Sequence, residues 1–168
     1  SAWAICMVAP LGRDATMTAL DLGIEAERTV AVDTLFGLGG RRTLMTTSVT
    51  DEGVRDLAHA VLTADDIPVT FIHDSPGFIA QRVIATIVNI SAEIAQMRIA
   101  TPEDINKAVK LGLAYPKGPL EFGDTLGPAK IHAILTAMHD FYGDPRYRPS
   151  PWLTRRARLG VSLMTPEA

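Results

Sequence analysis

The side chains of this 168-residue sequence that could do chemistry are few and scattered. No Ser or Cys is spaced from His59 or His73 as a nucleophile would be from its base, so surface or capping roles are expected for both. His132 and His139 stand seven apart, on one helical face but two turns apart. That is too far for a shared metal ion without other ligands, and solvated histidines are expected. The single cysteine, Cys6, has no disulfide partner, and no CxxC or His-rich cluster offers zinc-ligand spacing. Cys6 is read as a small buried hydrophobe in a protein of a reducing cytosolic setting. Arg155, Arg156 and Arg158 read as a solvated helical face. Gly37-Leu38-Gly39-Gly40 lies between two strand-like runs with no helix after it, so it is read as a loop and not as a phosphate-binding turn.

The composition suits a soluble globular protein, with 47% hydrophobic and 21% charged residues. A formal charge of -3, with basic and acidic residues interspersed, gives no electrostatic case for a nucleic-acid partner. No apolar run approaches the roughly 18 residues of a membrane span, and Ser1-Ala2-Trp3 lacks the basic start of a signal peptide. No membrane association and a cytoplasmic location are expected.

These groups must be positioned by an alternating first part and a helical second part. Residues 4–8 form an apolar run closed by Pro10 and Gly12, which reads as a strand. Asp14 caps a helix over 15–22 that stops at Gly23, and 29–36 is a second strand. Residues 43–49 form a third strand, Asp51 caps a helix to about 63, and 67–72 form a fourth strand. This order argues for an α/β lobe. After His73 the pattern changes. Ser75-Pro76-Gly77 turns the chain into a helix over 78–97 so apolar that it must be buried on several sides. Thr101-Pro102-Glu103-Asp104 starts a helix that Gly112 ends. Pro116, Gly118 and Pro119 form a turn before a short helix. Residues 128–142 form an amphipathic helix with Ile131, Ile134, Leu135 and Met138 on one face. Residues 144–149 are an extended connector, and Ser150 caps a last helix from 151 to about 159.

The stretch Asp74-Ser75-Pro76-Gly77-Phe78-Ile79-Ala80-Gln81-Arg82 resembles the opening of the helical C-terminal domain of 3-hydroxyacyl-CoA dehydrogenases. The likeness continues through Glu103-Asp104-Ile105-Asn106-Lys107-Ala108, Lys110-Leu111-Gly112, Tyr115-Pro116, Gly118-Pro119-Leu120-Glu121, Asp124 and Gly127 to Arg146-Tyr147-Arg148-Pro149-Ser150-Pro151. It covers about half of the chain, residues 74–153. Most of these residues are also fold devices: Pro76 and Gly77 permit a sharp turn, and Gly118 with Pro119 permits backbone to pass closely over the central helix. The resemblance implies a partial, degenerate Rossmann-like lobe of α/β type over 1–73, followed by an all-α domain over 74–168.

Two positions depart from the family's pattern. Where the family has a histidine acting as general base on the 3-hydroxyl, this sequence has Asp33. Where the family has the glutamate that orients that histidine, the corresponding residues, Thr43 to Met45, are not acidic. A carboxylate of ordinary pKa, about 4, is a poor base for an alcohol, so no catalytic residue is expected in this chain. Gln81 stands where the family has an asparagine beside the reacting group; its amide is one methylene longer, and it is the candidate substrate-binding residue.

The resemblance therefore implies the C-terminal region of an NAD-dependent enzyme oxidising 3-hydroxyacyl-CoA to 3-oxoacyl-CoA in fatty-acid or phenylacetate degradation. It is closest to the second helical copy of tandem phenylacetate-pathway members. NAD would belong to the full-length enzyme, with none bound tightly here, and the chain would supply part of the acyl-CoA cleft and the contact of a homodimer. A CoA phosphate could use the Arg155, Arg156 and Arg158 cluster. Two alternatives are a non-catalytic dimerisation or acyl-CoA-binding module and the helical domain of another β-hydroxyacid dehydrogenase.

Overall fold

A computed structural model describes residues 4–167; the opening Ser1-Ala2-Trp3, read above for its missing basic region, lies outside the described residues. The chain divides into two compact units, Ser1–Gln81 and Arg82–Ala168.

The first unit is a four-stranded mixed sheet in the order β1 (Cys6–Val8), β2 (Thr29–Val32), β3 (Arg42–Thr46) and β4 (Val69–Ile72). β1 and β2 are parallel, β2 and β3 antiparallel, and β3 and β4 parallel. Helices α1 (Ala15–Leu22) and α2 (Glu52–Leu62) follow β1 and β3. Alternation along the strands sorts the core into two layers. Ala31 and Met45 pack with Ala15 of α1, Val8, Ile72 and Phe78. Val30, Val32 and Leu44 pack with Ala58 and Val54 of α2 and with Phe71.

The strands are shorter than their apolar runs, because side chains intercept the backbone. Asp33 Oδ1 accepts from the Leu35 N–H at 3.0 Å, which turns the chain after Val32 instead of at Phe36. Thr50 Oγ1 accepts from the Thr47 N–H at 2.9 Å and ends β3 before Val49. Asp51 stands at the start of α2 but its side chain makes no capping bond. Its N–H donates instead to the Glu27 carbonyl. Cys6 is half-buried on an edge strand rather than buried.

The second unit holds most of α3 (Ala80–Gln96), then α4 (Pro102–Leu113), α5 (Pro119–Leu126), α6 (Pro128–Tyr142) and α7 (Pro151–Leu159). Thr101 caps α4 through the Asp104 N–H, and Ser150 caps α7 through the Leu153 N–H. Gly112 does not end α4: it lies inside the helix, and Ala114, in the left-handed region, closes it. The connector before α7 contains a turn of 3-10 helix, Pro145–Tyr147, set by Asp144 accepting from the Arg146 N–H.

The central helix is covered on one side only. Ala85, Val88, Ala92 and Ala95 are buried, whereas Val83, Ile90 and Met97 are exposed. The glycine that allows backbone close to it is Gly123 of α5, where a Cβ would meet Val88. Gly118 instead lies against Asn106 of α4, whose Oδ1 accepts from the Leu120 N–H.

Candidate functional site

Asp33 and Gln81 are brought together within the first unit. β2 delivers Asp33 to the end of the sheet, where its N–H still donates to the Thr43 carbonyl at 2.9 Å. The Ser75-Pro76-Gly77-Phe78 turn delivers Gln81, with both Gly77 and Phe78 at positive φ. Glycine meets that demand freely, but a buried phenylalanine adopts it only under the constraint of the packing around it.

Gln81 is 0% exposed. Its Nε2 donates to Asp33 Oδ1 at 2.9 Å and to the Pro10 carbonyl at 3.2 Å, and its Oε1 accepts from the Gly12 N–H at 2.8 Å. Donor and acceptor are both engaged with protein groups, so contact with a substrate would require one of these bonds to open. Asp33 Oδ1 in turn receives both Gln81 and the Leu35 N–H. Of Thr43 to Met45, near which an orienting acid would fall, Met45 is fully buried and accepts at its sulfur from the Ser75 N–H.

One arrangement was not foreseen from the motif containing Asp74. Its carboxylate reaches across to α1, Oδ1 accepting from the Ala15 N–H at 2.7 Å and Oδ2 from the Thr16 N–H at 3.1 Å and from the Thr16 hydroxyl. Asp14 accepts from the Met17 N–H at 2.6 Å. Burial, with the Asp74 carboxylate adding to it, pushes the Asp14 pKa above the ordinary carboxylate value against the pull of the Met17 N–H and Arg13. The positive end of α1 is thus filled by two carboxylates of the chain itself. Asp14 is legible in the sequence as the cap; for Asp74 the sequence signal is the acidic opening of the turn.

The remaining candidates stay apart. His59 is exposed with its ring stacked on Phe71, and His73 is exposed at the end of β4. His132 is half-buried, and burial lowers its pKa, with Arg158 adding to the effect. No group of three or more His, Cys, Asp or Glu side chains among the described residues could hold a metal ion. No described helix is long and apolar enough to cross a membrane. Arg156 does not belong to a solvated face: it is 4% exposed, lies over the Trp152 ring at 3.2 Å, and donates from Nε to the Thr165 carbonyl at 2.9 Å.

The profile of the 3-hydroxyacyl-CoA dehydrogenase C-terminal domain matches residues 77–163, more than half of the chain. Escherichia coli 3-hydroxyadipyl-CoA dehydrogenase is 40% identical over 88 residues, which are 52% of this chain and 18% of that protein. The 3-hydroxybutyryl-CoA dehydrogenase of Clostridioides difficile is 32% identical over 114 residues, 68% of this chain and 39% of that one. The crystal structure of an Escherichia coli 3-hydroxybutyryl-CoA dehydrogenase superposes with a TM-score of 0.82 at 30% identity, covering 92% of this chain and 32% of its own. The chain spans less than half the length of these relatives. Among the described residues, the four-stranded mixed sheet and seven α-helices agree with their fold. By the profile match and the helical signature that carries it, the chain belongs to the 3-hydroxyacyl-CoA dehydrogenase family through that family's C-terminal domain.

Proposed function

We propose that this chain is the C-terminal region of an NAD-dependent dehydrogenase that oxidises 3-hydroxyacyl-CoA to 3-oxoacyl-CoA, in fatty-acid or phenylacetate degradation. The general base and the nucleotide site lie elsewhere in the full-length protein. In this reading residues 1–73 are a degenerate remnant of a Rossmann-like lobe and residues 74–168 are the helical domain. The chain corresponds to the second helical copy of a tandem enzyme, contributes one wall of an acyl-CoA cleft, associates as a homodimer, and works in the cytoplasm. The relatives' names support 3-hydroxyadipyl-CoA and 3-hydroxybutyryl-CoA as the substrates to try first.

The observation that carries the catalytic part is the Asp33–Gln81 pair. Two residues at positions where the family acts on substrate bind each other and the neighbouring backbone instead. Asp33 is our candidate for a replaced base, and Gln81 for a substrate-binding residue that touches substrate only after releasing Gly12 or Asp33.

The first unit fits NAD poorly. A nucleotide diphosphate seeks free N–H groups at a helix N-terminus, and those of Ala15, Thr16 and Met17 are taken by Asp74 and Asp14. No step through NAD is assigned to this chain.

NADH formation from NAD and 3-hydroxybutyryl-CoA, measured for the 168-residue chain and for the full-length protein, tests the reading. Turnover by the full-length protein alone is expected. Turnover by the isolated chain that Asp33→Ala abolishes would return the base to this lobe, and an inactive full-length protein would leave a dimerisation or acyl-CoA-binding module.

A further inference from the structure

The second unit carries a cluster of charge to which no step of the proposed dehydrogenation is assigned. After α7 the chain turns at Gly160 and folds back, held by the Trp152 indole N–H donating to the Leu163 carbonyl and by the Leu163 N–H donating to Asp124. Pro166 and Glu167 then form the common wall of two open clefts. One, of about 600 Å³, lies between the end of α3 and the start of α4 and reaches Trp152. The other, of about 340 Å³, is lined by Arg155, Arg156, Leu159, Val161 and Thr165.

The Glu167 carboxylate sits in the smaller cleft, 3.2 Å from Arg155 Nη1 and 3.7 Å from Arg156 Nη1. The other partners of Arg156 are uncharged: the Thr165 and Trp152 carbonyls and the Trp152 ring. Two guanidinium groups therefore face one carboxylate, and the lining of the cleft keeps a net positive charge. Arg156 is also fixed in place, since it is buried and stacked, so an incoming anion need not order it. Leu159, 74% exposed, and Val161 give the same cleft an apolar side.

We propose that Arg155 and Arg156 form a site for a phosphate monoester, occupied in this structure by the chain's own Glu167. A monoester brings about -1.5 to -2 charges at neutral pH and three acceptor oxygens, against the single charge of a carboxylate. It matches two guanidinium groups better and displaces Glu167. The organic part of the ester rests on Leu159 and Val161. The resemblance offers this arginine cluster to a CoA phosphate only as a possible use; the site itself rests on the geometry of the second unit, and the phosphate titration tests it independently of any dehydrogenase turnover.

Calorimetric titration of the whole chain with inorganic phosphate tests it. Glu167→Gln removes the internal competitor; if Glu167 fills the site about nine parts in ten of the time, apparent affinity rises about tenfold. Arg155→Gln added to Glu167→Gln abolishes binding while circular dichroism stays unchanged. Equal binding before and after Glu167→Gln, or binding that survives the loss of Arg155, would overturn the proposal. Competition distinguishes the sources of the phosphate. CoA that displaces phosphate where dephospho-CoA does not assigns the site to the 3′-phosphate of CoA, and displacement by neither assigns it to free phosphate or another monoester.

Discussion

Gln81 Nε2 donates to Asp33 Oδ1 at 2.9 Å while Gln81 Oε1 accepts from the Gly12 N–H at 2.8 Å, so one buried amide joins the turn after β2 to the loop after β1. Both loops leave the same end of two parallel strands. A substrate approaching that end of the sheet meets a closed set of hydrogen bonds. On the proposed reading, in which both residues depart from the family's pattern, the departure has a physical content: the pair holds the lobe together.

Gln81→Met, similar in length but without the amide, leaves the buried Gly12 N–H and Pro10 carbonyl without this partner. Each unsatisfied buried group costs about 1–3 kcal/mol, so the variant should lose about 2 kcal/mol or more in urea unfolding with an unchanged m-value. A loss under about 0.5 kcal/mol would show that water replaces the amide at no penalty.

Much of this fold could be read from the residues. Asp14, Gly23, Thr101, Pro128 and Ser150 mark helix ends by local chemistry, and the structure uses each of them there. Gly112 misled because an exposed helical glycine looks in sequence like a terminator, while α4 continues to Leu113. Arg156 misled because its neighbours Arg155 and Arg158 are exposed; only the returning segment, with Thr165 and Glu167, makes its position an interior one. Within the candidate site, the resemblance singles out positions 33 and 81. Their mutual bond was not legible, since it depends on a contact between residues 48 apart in sequence.

Asp14 predicts a pH-dependent stability. Its folded-state pKa lies above the ordinary value, first through burial and then through Asp74. The folded state therefore holds the proton more tightly. The stability this contributes is complete below the unfolded pKa, about 4, and is lost as pH rises through the higher folded value. Asp14→Asn keeps a side-chain oxygen for the Met17 N–H and removes the buried charge. The variant should be more stable than the wild type at pH 7, with the gain vanishing below the unfolded pKa of about 4. A wild type more stable than the variant at pH 7 would mean that attraction to the helix end outweighs burial.

Two helical glycines should respond in opposite directions to alanine. At Gly112 nothing lies within 4 Å of an added Cβ. Gly112→Ala should therefore stabilise by about 0.5–1 kcal/mol through helix propensity. At Gly123 an added Cβ would stand 2.4 Å from Leu163 Cδ1 and 2.8 Å from Val88 Cγ1. Gly123→Ala should destabilise by about 1–3 kcal/mol. Thermal unfolding of the two variants beside the wild type checks both, and equal shifts would contradict the close packing of Leu163 and Val88 against Gly123.

The central helix carries a second apolar stripe that the chain leaves open. Val83, Ile87, Ile90, Ile94 and Met97 follow one another at alternating spacings of four and three, the pattern by which helices pack against helices. Val83, Ile90 and Met97 are exposed, while Ile87 and Ile94 are half-buried. The buried stripe, with Val88 at 0% exposure, already faces the chain's own core. Self-association through the open stripe should appear as a dimer of the 18.1 kDa chain in sedimentation at micromolar concentration. Ile90, 57% exposed, is the position at which to break it. Ile90→Glu should yield a folded monomer, because its carboxylate is solvated in the monomer and unpaired in the interface. Val88→Glu should instead unfold the chain, since that side chain packs beside Gly123. An unchanged dimer in Ile90→Glu would move the contact to another face, and a wild type that sediments as a monomer would remove the stripe's proposed partner.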